Sequence, residues 1–538
     1  MRVLILGDIG SPGNYHLGDE AMAEALACAL NVDGDVEVIA ISGDEASTRS
    51  RYGWQTAARF GFAALGTDWE RDARLDAIGL AASGASTALA WNDPAWEVIH
   101  AISSADAVVI SGGGNLNSTW PEHIYERAAT AQVAVRSAIP YAITGQSIGP
   151  HLTGRHGQLV AEILGRAVLV GVREATSHGI ARRLGAPADR LAHTIDDAAH
   201  LDFAQVSDPL PAGPYIAATF APHGGLAELD SLIASAAVLF DDLAELTDWR
   251  VVLVPHESGS PGSQRIDDRT VHQAIANSVT RAQVDVLDTV TARHAAKIVA
   301  SARLVLSTRY HPVVFGMANG VPALGICVDA YTSNKIRGAL ENYGCAPLAV
   351  SVASLVRGEL GAIARDVIAR EGEIRRHLDK VRVVRRREQE AWWRALRTAV
   401  TSPGTAAPEL QFAEVPLLWN QSPFPVATAL RDWSAEVSAR IEADALTVAT
   451  IASAGETADL LRRIEELRLQ RDDLATQLSA ERDQVLLLRA TAAELEHAGH
   501  EARATATRLR AELDALYATR SYRYLAPVRR FYSKLRQR

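Results

Sequence analysis

The sequence predicts an α/β protein made of two doubly wound, Rossmann-like domains followed by a long α-helical coiled coil. Three patterns predict this architecture. Short runs of Val, Ile and Leu alternate with helix-like stretches up to about residue 200, as in parallel sheets covered on both faces. A second series of the same kind begins at residue 215. From residue 460 onward, leucines recur at the 3-4 spacing that is typical of a coiled-coil seam.

Each predicted strand is a short apolar run bounded by glycine-rich or polar residues. The first domain has a predicted helix at Glu20–Leu30 and predicted strands at Val3–Leu6, Val36–Ile41, Ala107–Ser111, Tyr141–Thr144 and Val168–Val172. The second has a predicted helix ending at Leu246 and predicted strands at Tyr215–Phe220, Arg250–Val254, Val284–Leu287, Leu304–Ser307 and Ala323–Ile326. Strands separated by helices in this way predict two parallel sheets with a crevice between them.

Changes in composition set the domain boundaries. The segment SDPLPAGP, at 207–214, is a predicted linker. The predicted parts are two Rossmann-like domains (1–206 and 207–358), an arginine-rich helical segment (359–400), a proline-containing linker (401–427), a coiled coil (428–518) and a basic aromatic tail (519–538). A single helix packed on the body is the alternative for the coiled coil, but its polar flanks argue against that. Regular heptads predict a homo-oligomer.

Composition excludes several functional classes. The formal net charge of -10 gives no reason to expect nucleic acid as a partner. No apolar run approaches the ~20 residues that a membrane-spanning helix needs, and MRVLILGDIG is typical of a first buried strand rather than a signal peptide. The three cysteines fit no zinc motif and predict reduced thiols, so we expect a cytoplasmic protein. The basic tail is a candidate for contact with the inner face of an anionic membrane; a solvated, disordered terminus is the alternative.

The segment STRYHPVVFGMANGVP places Arg309 and His311 between a predicted strand and a helix. Pro312 fits the first helical position, so we expect the helix to begin there and to aim its free N–H groups at the same place. Together these groups predict an anion site with one titratable proton donor. In the alternative interpretation, Arg309 pairs with a surface acid and His311 caps the helix.

A second arginine follows another strand. The segment AVLVGVREATSHGI puts Arg173 directly after apolar residues, with Ser177 one helical turn further on. Because both arginines follow strands, we expect them to face one crevice from two domains. Arginine binds carboxylate and phosphate in bidentate fashion, so the pair suits a small ligand with two anionic groups.

Glycine-rich loops at 7–21, 111–117 and 144–150 also follow predicted strands. None contains the dinucleotide or P-loop glycine pattern. The segment VVLVPHES places His256 and Glu257 after another predicted strand, facing the same crevice. In the loop at 7–21, Asp19 is favoured as a helix N-cap over a catalytic acid. The predicted rim or acceptor-binding residues are Asn14, Gly18, Asp19, Gly113, Asn115, Gln146, His256 and Glu257.

The order of these motifs resembles the polysaccharide pyruvyl transferase family. The motifs are Asn14 with GDEA at 18–21, GGGN at 112–115, GQSIGP at 145–150, Arg173 with Ser177, and STRYH at 307–311 with GVP at 320–322. The resemblance covers roughly residues 1–345. One departure is that Asn14 and Gly18 are further apart here than in the common family spacing, and the C-terminal extension lies outside the family pattern.

The resemblance implies a fold similar to the GT-B glycosyltransferases, phosphoenolpyruvate as the donor, and a pyruvyl ketal bridging two hydroxyls of a sugar or lipid-linked glycan in cell-surface glycan or glycolipid biosynthesis. It implies that Arg173, Arg309, Ser177 and Ser307 bind phosphoenolpyruvate. His311 is the candidate general acid, with a pKa raised by the bound phosphate. We expect neither metal nor cofactor. The base stays open among Asp8, Asp19, Glu20, Asp196, Asp197 and Glu257.

Two alternatives remain. A GT-B glycosyltransferase with a nucleotide-sugar donor would share the crevice and would use an acid such as Asp329 or Glu341 for the donor ribose. A non-catalytic scaffold built on the coiled coil is the other, and intact Arg173, Arg309 and His311 count against it.

Overall fold

The computed structural model describes residues 1–11, 14–152, 154–225, 227–259, 266–402, 410–419, 503–515 and 526–536. Contacts divide the chain into one compact unit over 1–449 and another over 450–538. The three sheets that the described residues form all belong to the first unit.

The N-terminal lobe is built on a parallel sheet. Its strands are β1 (Arg2–Leu6), β3 (Glu37–Ile41), β4 (Gln55–Ala57), β5 (Ala107–Ile110), β6 (Gly113–Leu116), β7 (Tyr141–Ile148), β8 (Val170–Val172) and β9 (Leu191–His193), and a separate short strand is β2 (Asn14–His16). The helices are α1 (Leu17–Leu30), α2 (Glu45–Tyr52), α3 (Asp68–Ala82), α4 (Ala95–Ser103), α5 (Pro121–Arg136), α6 (Gly154–Arg166) and α7 (Ala175–Arg183), with 3-10 turns at Phe62–Ala64 and Asp197–His200. The order is β4-β3-β1-β5-β7-β8-β9, and β6 pairs with β7.

The C-terminal lobe repeats this design. Its strands are β10 (Tyr215–Thr219), β11 (Arg250–Leu253), β12 (Glu257–Gly259), β13 (Val284–Val286), β14 (Leu304–Ser307), β15 (Ala323–Cys327) and β16 (Ala349–Ser351). The helices are α8 (Leu229–Leu246), α9 (Asp268–Ser278), α10 (Ala292–Ala300), α11 (Tyr310–Ala318), α12 (Ala330–Glu341), α13 (Val352–Val356) and α14 (Leu360–Ala369), with a 3-10 turn at Ala346–Leu348. The six-stranded parallel sheet has the order β13-β11-β10-β14-β15-β16.

Burial explains why both sheets are parallel. Every residue of β5, β10, β14 and β15 is buried, because helices cover both faces of each sheet. A long helix, α15 (Glu371–Thr401), follows the C-terminal lobe and returns to the N-terminal sheet, where Trp392 and Leu396 join the core on one face.

Main-chain pairing joins the two lobes. Strands β2 and β12 form an antiparallel pair in which His16 lies opposite Glu257. Nearby, the backbone N–H of Ala292 donates to the Tyr15 hydroxyl at 3.1 Å, and Arg293 of the C-terminal lobe pairs with Glu24. The site described below lies beside this pairing.

The prediction of an α/β fold with parallel sheets is confirmed. Two helix starts differ from the prediction. The first helix begins at Leu17 rather than Glu20, and α11 begins at Tyr310, so Pro312 is its third residue and not its first. The missed strands each have only three or four residues, too few for a periodic signal: β2, β4, β6, β9, β12 and β16.

The second unit contains two described helices, at 503–515 and Ala526–Leu535. The predicted coiled coil lies outside the described residues apart from 503–515, where Leu509 and Leu513 are exposed. Among all described residues, no helix combines the length and the apolar character that crossing a membrane requires.

Candidate active site

A cavity of about 140 Å³ is lined by residues of both lobes. The N-terminal lobe supplies His16, Gly18, Asp19, Gly114, Asn115 and Arg173. The C-terminal lobe supplies His256, Arg309, Tyr310, His311, Tyr331 and Lys335. The structure therefore brings the two predicted arginines and the predicted histidine together in one shared space.

Arg309 is held in place by carboxylates. Its Nη2 donates to Asp268 at 2.6 Å and to Glu257 at 2.7 Å, and its Nε lies 3.2 Å from both oxygens of Asp268. Asp268 is fully buried and also accepts the backbone N–H groups of His256 and Glu257. Within the described residues, Nη1 of Arg309 makes no hydrogen bond. Asp268 and Glu257 therefore brace the Arg309 guanidinium, and its Nη1 is left to bind a ligand.

Arg173 has the same design on the opposite wall. Its Nε donates to Ser147 at 2.8 Å and to Glu174 at 3.2 Å, and its Nη1 donates to Asp196 at 2.5 Å. The guanidinium carbon lies 4.5 Å from the ring centroid of Tyr310. In the described part of the chain, Nη2 is the nitrogen of Arg173 that has no hydrogen bond. Two fixed arginines thus line the cavity, and within the described residues each keeps one guanidinium nitrogen without a hydrogen bond.

His311 lies between the arginines and packs against Gly18. A Cβ atom on Gly18 would overlap Nδ1 and Cε1 of His311 and lie 2.6 Å from its Cγ, so glycine makes room for the ring. The Nε2 atom is buried and has no hydrogen-bond partner within the described residues; Asp196 is 3.9 Å away. Burial, followed by the charges of Arg173, Lys335 and Arg309, holds the pKa of His311 well below its usual value.

Lys335 adds a third cation to the cavity. Its Nζ lies 3.8 Å from the ring centroid of Tyr331 and 5.8 Å from that of Tyr310. Burial and the charge of Arg173 lower the pKa of Lys335 to about 7. Asp19, on the N-terminal wall, has a pKa raised to about 6 by burial and by Asp8. The cavity thus combines cations with one carboxylate that is mostly ionised at neutral pH.

Tyr331 closes the cavity next to the glycine-rich loop. Its hydroxyl donates to the carbonyl of Gly114 at 3.0 Å, and its ring meets that of Trp120 edge to face, with centroids 5.0 Å apart. A Cβ atom on Gly114 would overlap the Tyr331 hydroxyl, so this close approach requires glycine.

Comparison with protein families places this cavity in a known context. A family model described as polysaccharide pyruvyl transferase matches residues 16–329, more than half of the chain. The chain belongs to the polysaccharide pyruvyl transferase family. The matched region contains most of the cavity lining, and no curated protein matches the chain in sequence.

Solved structures share the fold of this pyruvyl transferase family member. A putative UDP-N-acetylglucosamine 2-epimerase from Listeria monocytogenes aligns with a TM-score of 0.50 and 12% identity, over 77% of this chain and 99% of its own. A glycosyltransferase from Rickettsia africae has a TM-score of 0.45 and 12% identity, over 75% of this chain and 99% of its own. At 12% identity and a TM-score of 0.50, the likeness to the Listeria protein shows the fold alone, an α/β fold of the GT-B kind with parallel sheets.

The two predicted serine ligands lie behind the arginines. Ser307 is buried, accepts the N–H of Arg309 at 2.9 Å and donates to its carbonyl at 2.8 Å. Ser177 donates to Glu174 at 2.7 Å and accepts the N–H of Ile148 at 2.9 Å. Neither lines the cavity. Both hydroxyls instead shape the backbone or the acid beside an arginine.

The predicted rim residues fall into two groups. Gly18, Asp19, Asn115 and His256 line the cavity, whereas Asn14, Gly113, Gln146 and Glu257 do not. Glu257 braces Arg309, and buried Gln146 donates to the carbonyl of Ser111 at 2.5 Å. Asn14 contributes through its backbone, which pairs with Gly259. The N-cap prediction for Asp19 is wrong, because His16 occupies that position and Asp19 faces the cavity from the first turn.

Most of the carboxylates considered for a nucleotide-sugar donor or for the general base form hydrogen bonds or ion pairs within the fold. Asp329 caps α12 by accepting the N–H of Thr332 at 2.7 Å and lies 3.1 Å from His223, while Glu341 pairs with Arg337. Five of the six carboxylates considered as the base accept hydrogen bonds within the fold: Asp8, Glu20, Asp196, Asp197 and Glu257. Asp19, the sixth, lines the cavity and accepts none from the described residues.

Lys335, Tyr331 and Asp268 were not among the residues predicted from the sequence. Tyr331 and Lys335 lie four residues apart on α12, and therefore on one helix face, a spacing that was available in the sequence. Asp268 begins α9 and appears from the sequence as an ordinary helix-start acid. Only the packing of α9 against Arg309 gives it a role.

Proposed function

We propose that this family member transfers the pyruvyl group of phosphoenolpyruvate onto two hydroxyls of a sugar, forming a ketal and releasing phosphate. The observation that supports this most is the arrangement of three cationic side chains around one buried imidazole. Phosphoenolpyruvate carries a carboxylate and a phosphate, and Arg173 and Arg309, each held by carboxylates, line the cavity together with Lys335 and His311.

In this proposal, the two arginines bind the two anionic groups. The first turn of α11 contributes to anion binding as well. The side chain of its N-cap residue, Arg309, makes no hydrogen bond to the free backbone N–H groups of that turn, so these groups are available to an anion. Lys335 adds charge above the Tyr331 ring. The protein thus provides fixed dipoles and charges before the ligand arrives, which costs little reorganisation during the reaction.

His311 is the proposed general acid. The reaction begins when a proton of the His311 imidazolium moves to the methylene carbon, so that positive charge develops at the neighbouring carbon. Burial and then the protein's own cations lower the pKa of His311, whereas a bound phosphate and carboxylate counteract those cations. Ligand binding therefore raises the pKa of His311 and delivers the proton donor in its charged form only when phosphoenolpyruvate is present.

Asp19 is the proposed base. A first sugar hydroxyl attacks the cationic carbon and gives its proton to this carboxylate, which lines the same cavity as the arginines. A second hydroxyl then forms the other C–O bond while the C–O bond to phosphate breaks. The second hydroxyl proton leaves with phosphate, and the proton on Asp19 returns to His311, so atoms and charges balance.

The test uses purified full-length protein, radiolabelled phosphoenolpyruvate and a panel of methyl hexosides. The wild type is expected to bind phosphoenolpyruvate in calorimetry and to transfer label to a sugar with release of phosphate. His311→Ala is expected to retain binding and lose transfer. His294→Ala, which removes a histidine on α10 that contacts the carbonyl of Pro209, is the matched control and is expected to behave as wild type.

Three outcomes would contradict the proposal. If the wild type does not bind phosphoenolpyruvate, this compound is excluded as the donor substrate. Consumption of a nucleotide sugar in place of phosphoenolpyruvate would favour glycosyl transfer. Full ketal formation by His311→Ala would remove the histidine from the mechanism.

A further inference from the structure

Helix α15 bridges the two lobes. Its first turns are bound to the C-terminal lobe, where Glu371 accepts from Arg303 at 2.8 Å and Arg375 donates to the carbonyl of Gly320 at 3.1 Å. Further along, Trp392 packs so closely on Gly171 of β8 that a Cβ atom there would lie 2.5 Å from its ring. One continuous helix therefore connects the C-terminal sheet to the strand that precedes Arg173.

Side chains from the second half of this helix donate hydrogen bonds to a buried carboxylate, that of Asp197. Oδ1 of Asp197 accepts Nε2 of Gln389 at 2.7 Å and Nε1 of Trp393 at 2.8 Å, and its Oδ2 accepts the hydroxyl of Thr144 at 2.8 Å. Nε1 of Trp392 donates to the same hydroxyl at 3.0 Å, which leaves the Thr144 proton for Asp197. Burial raises the pKa of Asp197 to about 7. All three of these donors to the carboxylate are neutral.

Two short chains of contacts lead from α15 to Arg173. Asp196, the neighbour of Asp197, accepts from Nη1 of Arg173 and with its other oxygen caps the 3-10 turn at the N–H of Ala198. On the other side, the carbonyl of Arg173 accepts Nδ2 of Asn342 at 2.9 Å. The carbonyl of Asn342 in turn accepts Nε of Arg385, a residue of α15, at 2.6 Å.

We propose that α15 positions Arg173 for phosphoenolpyruvate, with Gln389 and Trp393 acting through Asp197 and Arg385 acting through Asn342. The inference rests on the proposed function, in which Arg173 binds an anionic group of the donor. None of these α15 residues lines the cavity, so they are positioning residues and not catalytic ones. The N-terminal half of the anion site is complete only while a helix anchored in the other lobe holds it.

The experiment compares near-isosteric variants of the full-length protein. Trp393→Phe and Gln389→Leu each remove one donor to Asp197. Each is expected to raise the calorimetric Kd and the KM for phosphoenolpyruvate about tenfold, because Arg173 loses part of its support; a tenfold change corresponds to about 1.4 kcal/mol of binding free energy. The kcat at saturating donor is expected to stay within about twofold, because His311 is unchanged.

Arg397→Gln is the matched control. Arg397 lies on the same helix and donates to the carbonyl of Ala29 at 2.6 Å, which is a contact with the N-terminal lobe that does not lead to Arg173. This variant is expected to lower Tm as much as the other two and to leave the Kd for phosphoenolpyruvate unchanged.

The outcomes separate the inference from the proposed function. If the wild type binds phosphoenolpyruvate and the folded Trp393→Phe and Gln389→Leu variants bind it equally well, with only Tm lowered, positioning by α15 is wrong and the proposed function stands. If the wild type does not bind it, both fall. Should both variants fail to fold, Asn342→Ser removes the other link, and an unchanged Kd in that variant overturns the inference.

Discussion

Gly18→Ala tests the placement of His311 without touching the histidine itself. The new Cβ atom would lie 2.6 Å from Cγ of His311 and would overlap Nδ1 and Cε1. Since carbon atoms in contact are about 3.5–4.0 Å apart, the ring must retreat by about 1 Å or more. The backbone at Gly18 is helical, so alanine by itself suits this position and contributes up to about 1 kcal/mol of helix propensity.

The substitution is therefore expected to affect catalytic activity much more than stability. A displacement of about 1 Å at a reacting group costs roughly a hundredfold in rate, so kcat for pyruvyl transfer is expected to fall by about that factor while Tm changes little. Gly157→Ala, at a helical glycine of α6 with open space around it, is the control. Steady-state phosphate release and thermal melts measure both quantities. A Gly18→Ala variant with wild-type kcat would refute the idea that this packing sets the position of the proton donor.

Two further predictions concern the cations of the cavity. Lys335 has a pKa of about 7, so its charge is present below that pH and lost above it; we expect the calorimetric Kd for phosphoenolpyruvate to rise as pH increases through 7, by up to about tenfold per pH unit, and Lys335→Arg to flatten that rise. A steep rise that persists in Lys335→Arg would assign the effect to another group. Asp268→Asn weakens the brace on Arg309 and is expected to lower kcat/KM about tenfold or more, whereas Asp241→Asn, which disturbs a carboxylate that accepts backbone N–H groups near Thr280, is expected to lower Tm alone. Equal kcat/KM values for the two variants would contradict the role of Asp268.

Much of the fold could be predicted from the sequence because both sheets consist of buried parallel strands. Such strands are near-continuous apolar runs, and β1, β5, β10 and β14 lie close to where those runs predicted them. The strands that escaped prediction are short. Strands β2 and β12 pair with each other across the lobes, and three residues carry no periodicity that a single sequence reveals.

The site residues that could be predicted are the charged or titratable ones that follow a predicted strand. Arg173, Arg309 and His311 follow apolar strands, and the ends of parallel strands meet at one edge of a sheet. Lys335 and Asp268 lie within helices, where a charged residue is usually solvated, and only the docking of those helices brings them to the cavity or to Arg309. The start of α11 was misplaced because Pro312 suits the first turn generally and not one position alone.

The small ladder formed by β2 and β12 also bears on how the two walls of the cavity can separate. It ties main chain to main chain beside the cavity, with His16 opposite Glu257 at its end. Separating the two walls of the cavity on this side breaks the backbone hydrogen bonds of the ladder. If the product of the proposed reaction leaves on this side, opening of the cavity rather than bond making is expected to limit the turnover rate.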